Sequence, residues 1–173
     1  MTIATATVKP ADYSVKNVKS LRGREGIGFN SSLYRDGKRV ATVDDPANGG
    51  PLDWHWLDWK EGKVPVTFKS YQGKEYTRNA TPEEAKFVEM LVAEGKDGEF
   101  EFEDSFVFGL VEKYEEEKQY RKWCRTMTCF RLKGDEEGTW RTIKYKYDTR
   151  IAMHLKQKHG DKLVEILNKR FSK

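Results

Sequence analysis

Three groups of residues in this 173-residue chain have types and spacings from which chemistry is built. Cys124 and Cys129 followed by His154 and His159 supply the donor types of a zinc site, spaced C-x4-C and H-x4-H. Geometry opposes that reading. Cysteines five apart point to opposite faces of a strand, histidines five apart diverge on a helix, and the 24 residues between the pairs exceed a zinc-finger loop. The expectation is small buried cysteines, surface histidines and no metal cofactor. A second group, Asp44 or Asp45 with Asp58-Trp59-Lys60, loosely matches a Mg²⁺-dependent nuclease. There, carboxylates hold the ion and a lysine on the same strand face orients water or steadies the phosphate. No further motif accompanies it, so no residue is assigned a catalytic role and the chain is expected not to be an enzyme.

The third group is the most informative. In "WRTIKYKY", residues 140–147, strand alternation places Ile143, Tyr145 and Tyr147 on one face and Lys144 and Lys146 on the other. Arg131 and Lys133 come from the preceding strand, and Arg141 and Arg150 flank the pair. Cations displayed on a sheet beside aromatic rings suit contact with DNA or RNA phosphates. An amphipathic hairpin with tyrosines inward explains the same alternation without a ligand.

Between residues 43 and 59, "VDDPANGGPLDWHWLDW" combines turn chemistry with tryptophans. "PANGGP" has neither the spacing of a phosphate-binding loop nor a helix behind it, so its glycines and prolines predict a rigid turn. On a strand, Trp54 and Trp56 share a face. Exposed, that face with Trp59 is a candidate protein interface; buried, it is core.

These residues need elements to position them. "GIGFNSSLYRDGKRVATVDD" reads as a hairpin turning at Asp36-Gly37, pairing Leu33 with Val40 and Phe29 with Asp44. Ile27, Phe29, Leu33 and Val40 then fall on one face. "KVPVTFKSY" is a further strand. Thr81, Pro82 and Glu84 spell a capping box for a helix that Gly95 stops. A longer helix is predicted from Asp104 or Ser105 to about Trp123, then two strands about the turn 134–138, then two short helices broken at Gly160. The expected fold is a single α+β domain of antiparallel sheet and hairpins packed with about four helices. Residues 1–80 are mainly β, 81–124 helical, 125–148 a basic β-hairpin and 149–173 a helical pair.

Composition agrees with that picture. The chain is 37% hydrophobic and 35% charged, and its 13% aromatic content must supply much of the core. No apolar run reaches a membrane span, the first residues lack the basic and apolar regions of a leader, and two cysteines make no disulfide framework. A cytoplasmic setting and no membrane partner are expected. The net charge of +4 hides a division. Residues 94–117 hold ten acids against two lysines, whereas residues 118–173 hold sixteen lysines and arginines against six acids. A basic C-terminal surface attracts phosphates.

Phe29, Leu33, Tyr34, Asp36, Gly37, Lys38, Val43, Gly49 and Gly50 make up a segment that resembles one in small proteins of phages and related mobile elements. The resemblance covers the first third of the chain and carries no catalytic residue with it. It implies an accessory protein that acts by stoichiometric binding to a host protein or nucleoprotein complex, including inhibition of host defence, in the host cytoplasm. The leading functional expectation is therefore a non-enzymatic binding protein. Direct nucleic-acid binding through the basic hairpin is the alternative, and the nuclease is the third reading.

Overall fold

The computed structural model describes residues 8–99 and 101–172. They have the expected α+β character, with antiparallel strand pairing throughout. The chain divides into two compact units, residues 1–114 and 115–173. The initial residues on which the leader reading rests lie partly outside the described ones.

In the first unit, β1 (Tyr13–Arg22), β2 (Ile27–Arg35), β3 (Lys38–Asp45) and β4 (Asp53–Trp56) form a meander in chain order. The β2–β3 turn falls where the sequence places it. Asp36 and Gly37 both have positive φ, 50° and 76°, as a tight primed turn requires. The register differs from expectation. A bulge between Leu33 and Tyr34, with Val40 as the extra residue of β3, pairs Leu33 with Ala41 rather than Val40, and Phe29 with Asp45 rather than Asp44. One inserted residue shifts every pair beyond it. Phe29, Leu33 and Val40 are buried, but Ile27, expected on their face, is 78% exposed at the end of the hairpin.

β5 (Val64–Lys69) and β6 (Glu75–Ala80) form a separate hairpin, followed by α1 (Pro82–Ala93). The capping box of α1 is complete: Thr81 Oγ1 accepts from Glu84 N at 3.2 Å, and Glu84 Oε2 accepts from Thr81 N at 3.2 Å. Gly95, at φ 69°, follows its last turn. Phe87 of α1 is the centre of the core. Its ring meets Tyr13 at 5.2 Å, Trp54 at 5.4 Å, Phe106 at 5.5 Å and Trp56 at 5.8 Å. These five rings form one cluster, where each removes a large apolar area from water. Phe106 belongs to α2 (Phe102–Cys124), whose last residues lie in the second unit.

The second unit is built on a three-stranded antiparallel sheet in the order β8-β7-β9. The strands are β7 (Thr128–Leu132), β8 (Arg141–Ile143) and β9 (Leu163–Ile166), and α3 (Thr149–His159) lies between β8 and β9 in the chain. The terminal helical pair is corrected here. "DKLVEILNKRF" forms a 3₁₀ turn at Gly160–Lys162, then β9, and a single helical turn, α4 (Asn168–Phe171). Arg131 pairs with Glu165 and Phe130 with Ile166. The free edge of β7 takes up these four residues as a strand, and tertiary pairing overrides their local helical preference. The expected hairpin is also shorter than its alternation suggests. β8 ends at Ile143, and Tyr145 N turns back to Ile143 O at 2.7 Å. No helix among the described residues is long and apolar enough to cross a membrane.

Candidate nucleic-acid interface

Asn168 secures the second unit from within. Its buried side chain accepts from Cys129 N at 2.8 Å and donates to Met127 O at 2.8 Å and Cys124 O at 3.2 Å. Three backbone groups at the junction of α2 and β7 are thereby satisfied by one amide, as burial demands. Cys129 is fully buried and Cys124 half-buried. Burial, reinforced by the neighbouring Cys129, pushes the Cys124 thiol up to about 12. His154 is exposed, and His159 lies against Phe130 at 5.6 Å between centroids. Among the described residues, no three His, Cys, Asp or Glu side chains converge as a metal site.

The six cations singled out in the sequence separate into two sets. Arg141 grips Asp135 with two guanidinium nitrogens, at 2.7 and 2.9 Å, and Asp135 also accepts from Leu132 N. The Arg141 hydrogen bonds, followed by the Leu132 N–H, hold the Asp135 carboxyl down at about 2. Arg131 lies over the Trp140 ring at 5.8 Å, and Arg170 also approaches that ring, at 5.6 Å. These arginines organise the hairpin; Lys133 is exposed near its turn.

Lys144, Lys146 and Arg150 form the other set, just beyond β8 and on the first turn of α3. Lys144 and Lys146 have no ion-pair partner among the described residues, and both are exposed. Asp148 caps α3, accepting from Ile151 N at 2.8 Å, and takes a contact from Arg150 at 3.1 Å.

A concavity of about 650 Å³ opens here, with mainly apolar walls from Ile143, Tyr145 and Ile151 and a rim that includes Lys146, Arg150 and Lys158. His154 adds an imidazole, and Asp148 is the one acid there among the described residues. A second concavity, of about 590 Å³, is lined by Arg121, Arg125, Tyr147 and Phe171, and again by Lys146. Lys146 therefore borders both. Arg121 lies over Phe171 at 4.6 Å, which holds its guanidinium at the surface.

Sequence reasoning missed Arg121, Arg125, His154 and Lys158 as members of this surface. The signal was available as helical spacing. Arg150, His154 and Lys158 stand at i, i+4 and i+8 of α3, and Arg121 and Arg125 at i and i+4 near the end of α2. The expected inward face of "WRTIKYKY" also needs correction. Ile143 and Tyr147 pack into the core, but Tyr145 is 70% exposed because the strand has already ended.

The other candidate residues are committed elsewhere. Trp54 and Trp56 stack at 5.4 Å and 11° between planes, against Phe87, and Trp54 Nε1 donates to buried Asp104 at 2.9 Å. Trp56 is buried core and Trp54 is half-buried against it, so most of that face is taken up inside the first unit; Trp59 is 66% exposed, with Lys60 Nζ 4.8 Å from its ring centroid. Asp58-Trp59-Lys60 lies in a turn after β4 instead of on a strand, so the face-sharing required by the nuclease pattern is absent. Asp58 is buried and accepts from Glu83 N at 2.7 Å, at the start of α1. Asp44 accepts from the Asn30 side chain. No family model, curated protein or solved structure matches the chain.

Proposed function

We propose that the second unit binds nucleic acid through its phosphate backbone, with Lys146 as the central contact. The supporting observation is the position of Lys146 on two adjoining concavities whose other cations are Arg121, Arg125, Arg150 and Lys158. Among the described residues the only acid lining either of them, Asp148, is engaged by the α3 N-terminus and Arg150. Residues 115–173 carry sixteen lysines and arginines against nine acids, so the surrounding field favours a polyanion. This reading accommodates the mobile-element resemblance of residues 29–50, because an accessory protein of that kind can act on a nucleoprotein complex. It shifts weight from a tryptophan interface to the basic unit, since Trp56 is buried and Trp54 is half-buried against the core.

Fluorescence anisotropy against labelled oligonucleotides, titrated over a range of salt, tests it. About four phosphate contacts on a single strand give a slope of log affinity against log salt near about −3. Lys144→Glu/Lys146→Glu should weaken binding and flatten the slope. Salt-independent binding, or a double variant that binds like the unaltered protein, would refute the proposal.

A further inference from the structure

Unpaired charge alone does not explain the Tyr145 concavity. Every other aromatic side chain of the second unit has an internal role. Tyr120 meets Trp123 and Trp140, Phe130 meets His159, Phe171 carries Arg121, and Tyr147 packs against the Phe130 cluster. The Tyr145 ring has no aromatic or cationic partner among the described residues, although cations stand around the same concavity. Its backbone is held in place: Tyr145 O accepts from Thr128 Oγ1 at 2.9 Å, and Tyr145 N donates to Ile143 O. An exposed ring on a fixed backbone, beside walls of Ile143 and Ile151, is an apolar platform inside a basic rim.

Resting on the phosphate-binding reading above, we infer that this concavity takes an unpaired nucleotide, with the base stacked on Tyr145 and flanking phosphates held by Lys146, Arg150 and Lys158. A duplex presents phosphates outward and keeps its bases stacked on one another, so it would use the cations and leave the apolar walls empty. A single strand offers a base face to the tyrosine and its backbone to the rim at the same time. The volume of about 650 Å³ lies within the range of small-ligand sites, roughly 300–1,000 Å³. Stacking tolerates any base, so the preference concerns strandedness and carries no sequence code.

The test compares single-stranded DNA, single-stranded RNA and a DNA duplex of the same sequence by anisotropy at one salt concentration. The proteins are the full chain, Tyr145→Phe, Tyr145→Ala and Lys146→Glu. Tyr145 is mostly exposed, so its truncation leaves the core untouched. The expected result is tighter binding of at least one single strand than of duplex. Tyr145→Ala should then lose roughly tenfold on single strand and little on duplex, with affinity retained in Tyr145→Phe. Lys146→Glu should weaken binding to every strand form. If Tyr145→Ala binds single strands like the unaltered chain while Lys146→Glu weakens binding, the platform is refuted and phosphate binding stands. If none of the three nucleic acids binds, both fall. Competition by polyglutamate as effective as by oligonucleotide would also overturn the platform, because charge would then suffice.

Discussion

Asp104 is the side chain on which the tryptophan-rich stretch depends, and its removal has a calculable consequence. The residue sits in the first turn of α2, buried, and accepts from two donors: Leu52 N at 2.9 Å and Trp54 Nε1 at 2.9 Å. Asp104→Ala strands both. A buried donor left without its acceptor costs about 1–3 kcal/mol. Loss of a carboxylate in the first turn of a helix removes about 0.3–1 kcal/mol more. Because partial relaxation makes these terms less than additive, a net loss of about 3 kcal/mol is expected. At roughly 4 °C or more per kcal/mol for a unit of this size, the melting temperature should fall by at least about 10 °C. Chemical denaturation of the full chain, followed by near-ultraviolet circular dichroism of the stacked Trp54 and Trp56, reads the first unit directly. Asp104→Asn, which retains one acceptor oxygen, should lie between the two. Combining it with Trp54→Phe in a double-mutant cycle should give a coupling of about 1–2 kcal/mol. A loss below about 0.5 kcal/mol in Asp104→Ala, or no coupling in the cycle, would refute the view that this carboxylate anchors the tryptophans.

Three further outcomes follow from other parts of the structure. Burial works against ionisation of Glu83, but hydrogen bonds from Arg35, at 2.9 Å, and Lys86 outweigh it and hold the carboxyl below its ordinary value of 4.5. A lowered folded-state pKa stabilises the protein above the unfolded value, and the contribution disappears as pH falls through the folded one. The acid limb of a stability–pH curve should therefore descend below about pH 4.5 and be shallower in Glu83→Gln; identical limbs would contradict the assignment. A methyl group on Gly28 would be driven into Asp45 O, with Ala47 N 3.1 Å away, so Gly28→Ala should cost about 1–3 kcal/mol in urea denaturation, and an unchanged midpoint would show that β3 can yield. Cys124, held at about 12 against an ordinary 9.0, should carry about a thousandfold less thiolate than in the unfolded chain near neutral pH. Ellman's reagent should accordingly react much more slowly with native than with urea-unfolded protein, and equal rates would refute the burial argument.

Local signals in the sequence succeeded where a few neighbouring residues fix the backbone. Asp36-Gly37 supplies two positive-φ positions in succession, and Thr81, Pro82 and Glu84 complete a cap within four residues, so the turn and the helix start are both legible. The β2–β3 register was not, because the bulge between Leu33 and Tyr34 leaves no clear local mark. "DKLVEIL" has the composition of a short helix and becomes β9 only because β7 has an edge to pair. The basic surface was half legible. Lys144, Lys146 and Arg150 are close in sequence, but Arg121 and Lys158 enter from different helices, and only the fold places each of them beside Lys146.

What separates a reactive-looking residue from a binding one here is whether another part of the same unit has already claimed it. Asp58, Trp54 and Trp56 are the residue types of a site, crowded into a short span. Yet Asp58 caps α1, Trp54 donates to Asp104, and both indoles pack on Phe87. Their chemistry is consumed in holding the first unit together, which a lean hydrophobic composition requires of its aromatics. Arginines of the second unit are claimed in the same way, Arg141 by Asp135 and Arg170 by Glu165. Lys144, Lys146 and Tyr145 are exposed side chains without such partners among the described residues, and all three are exposed together because β8 stops at Ile143. Had the strand continued, alternation would have turned Tyr145 inward beside Ile143 and Tyr147. The early end of a three-residue strand therefore converts an ordinary amphipathic pattern into a lysine–tyrosine–lysine surface, and that is why the basic hairpin, rather than the tryptophan stretch, is the place to look for a ligand.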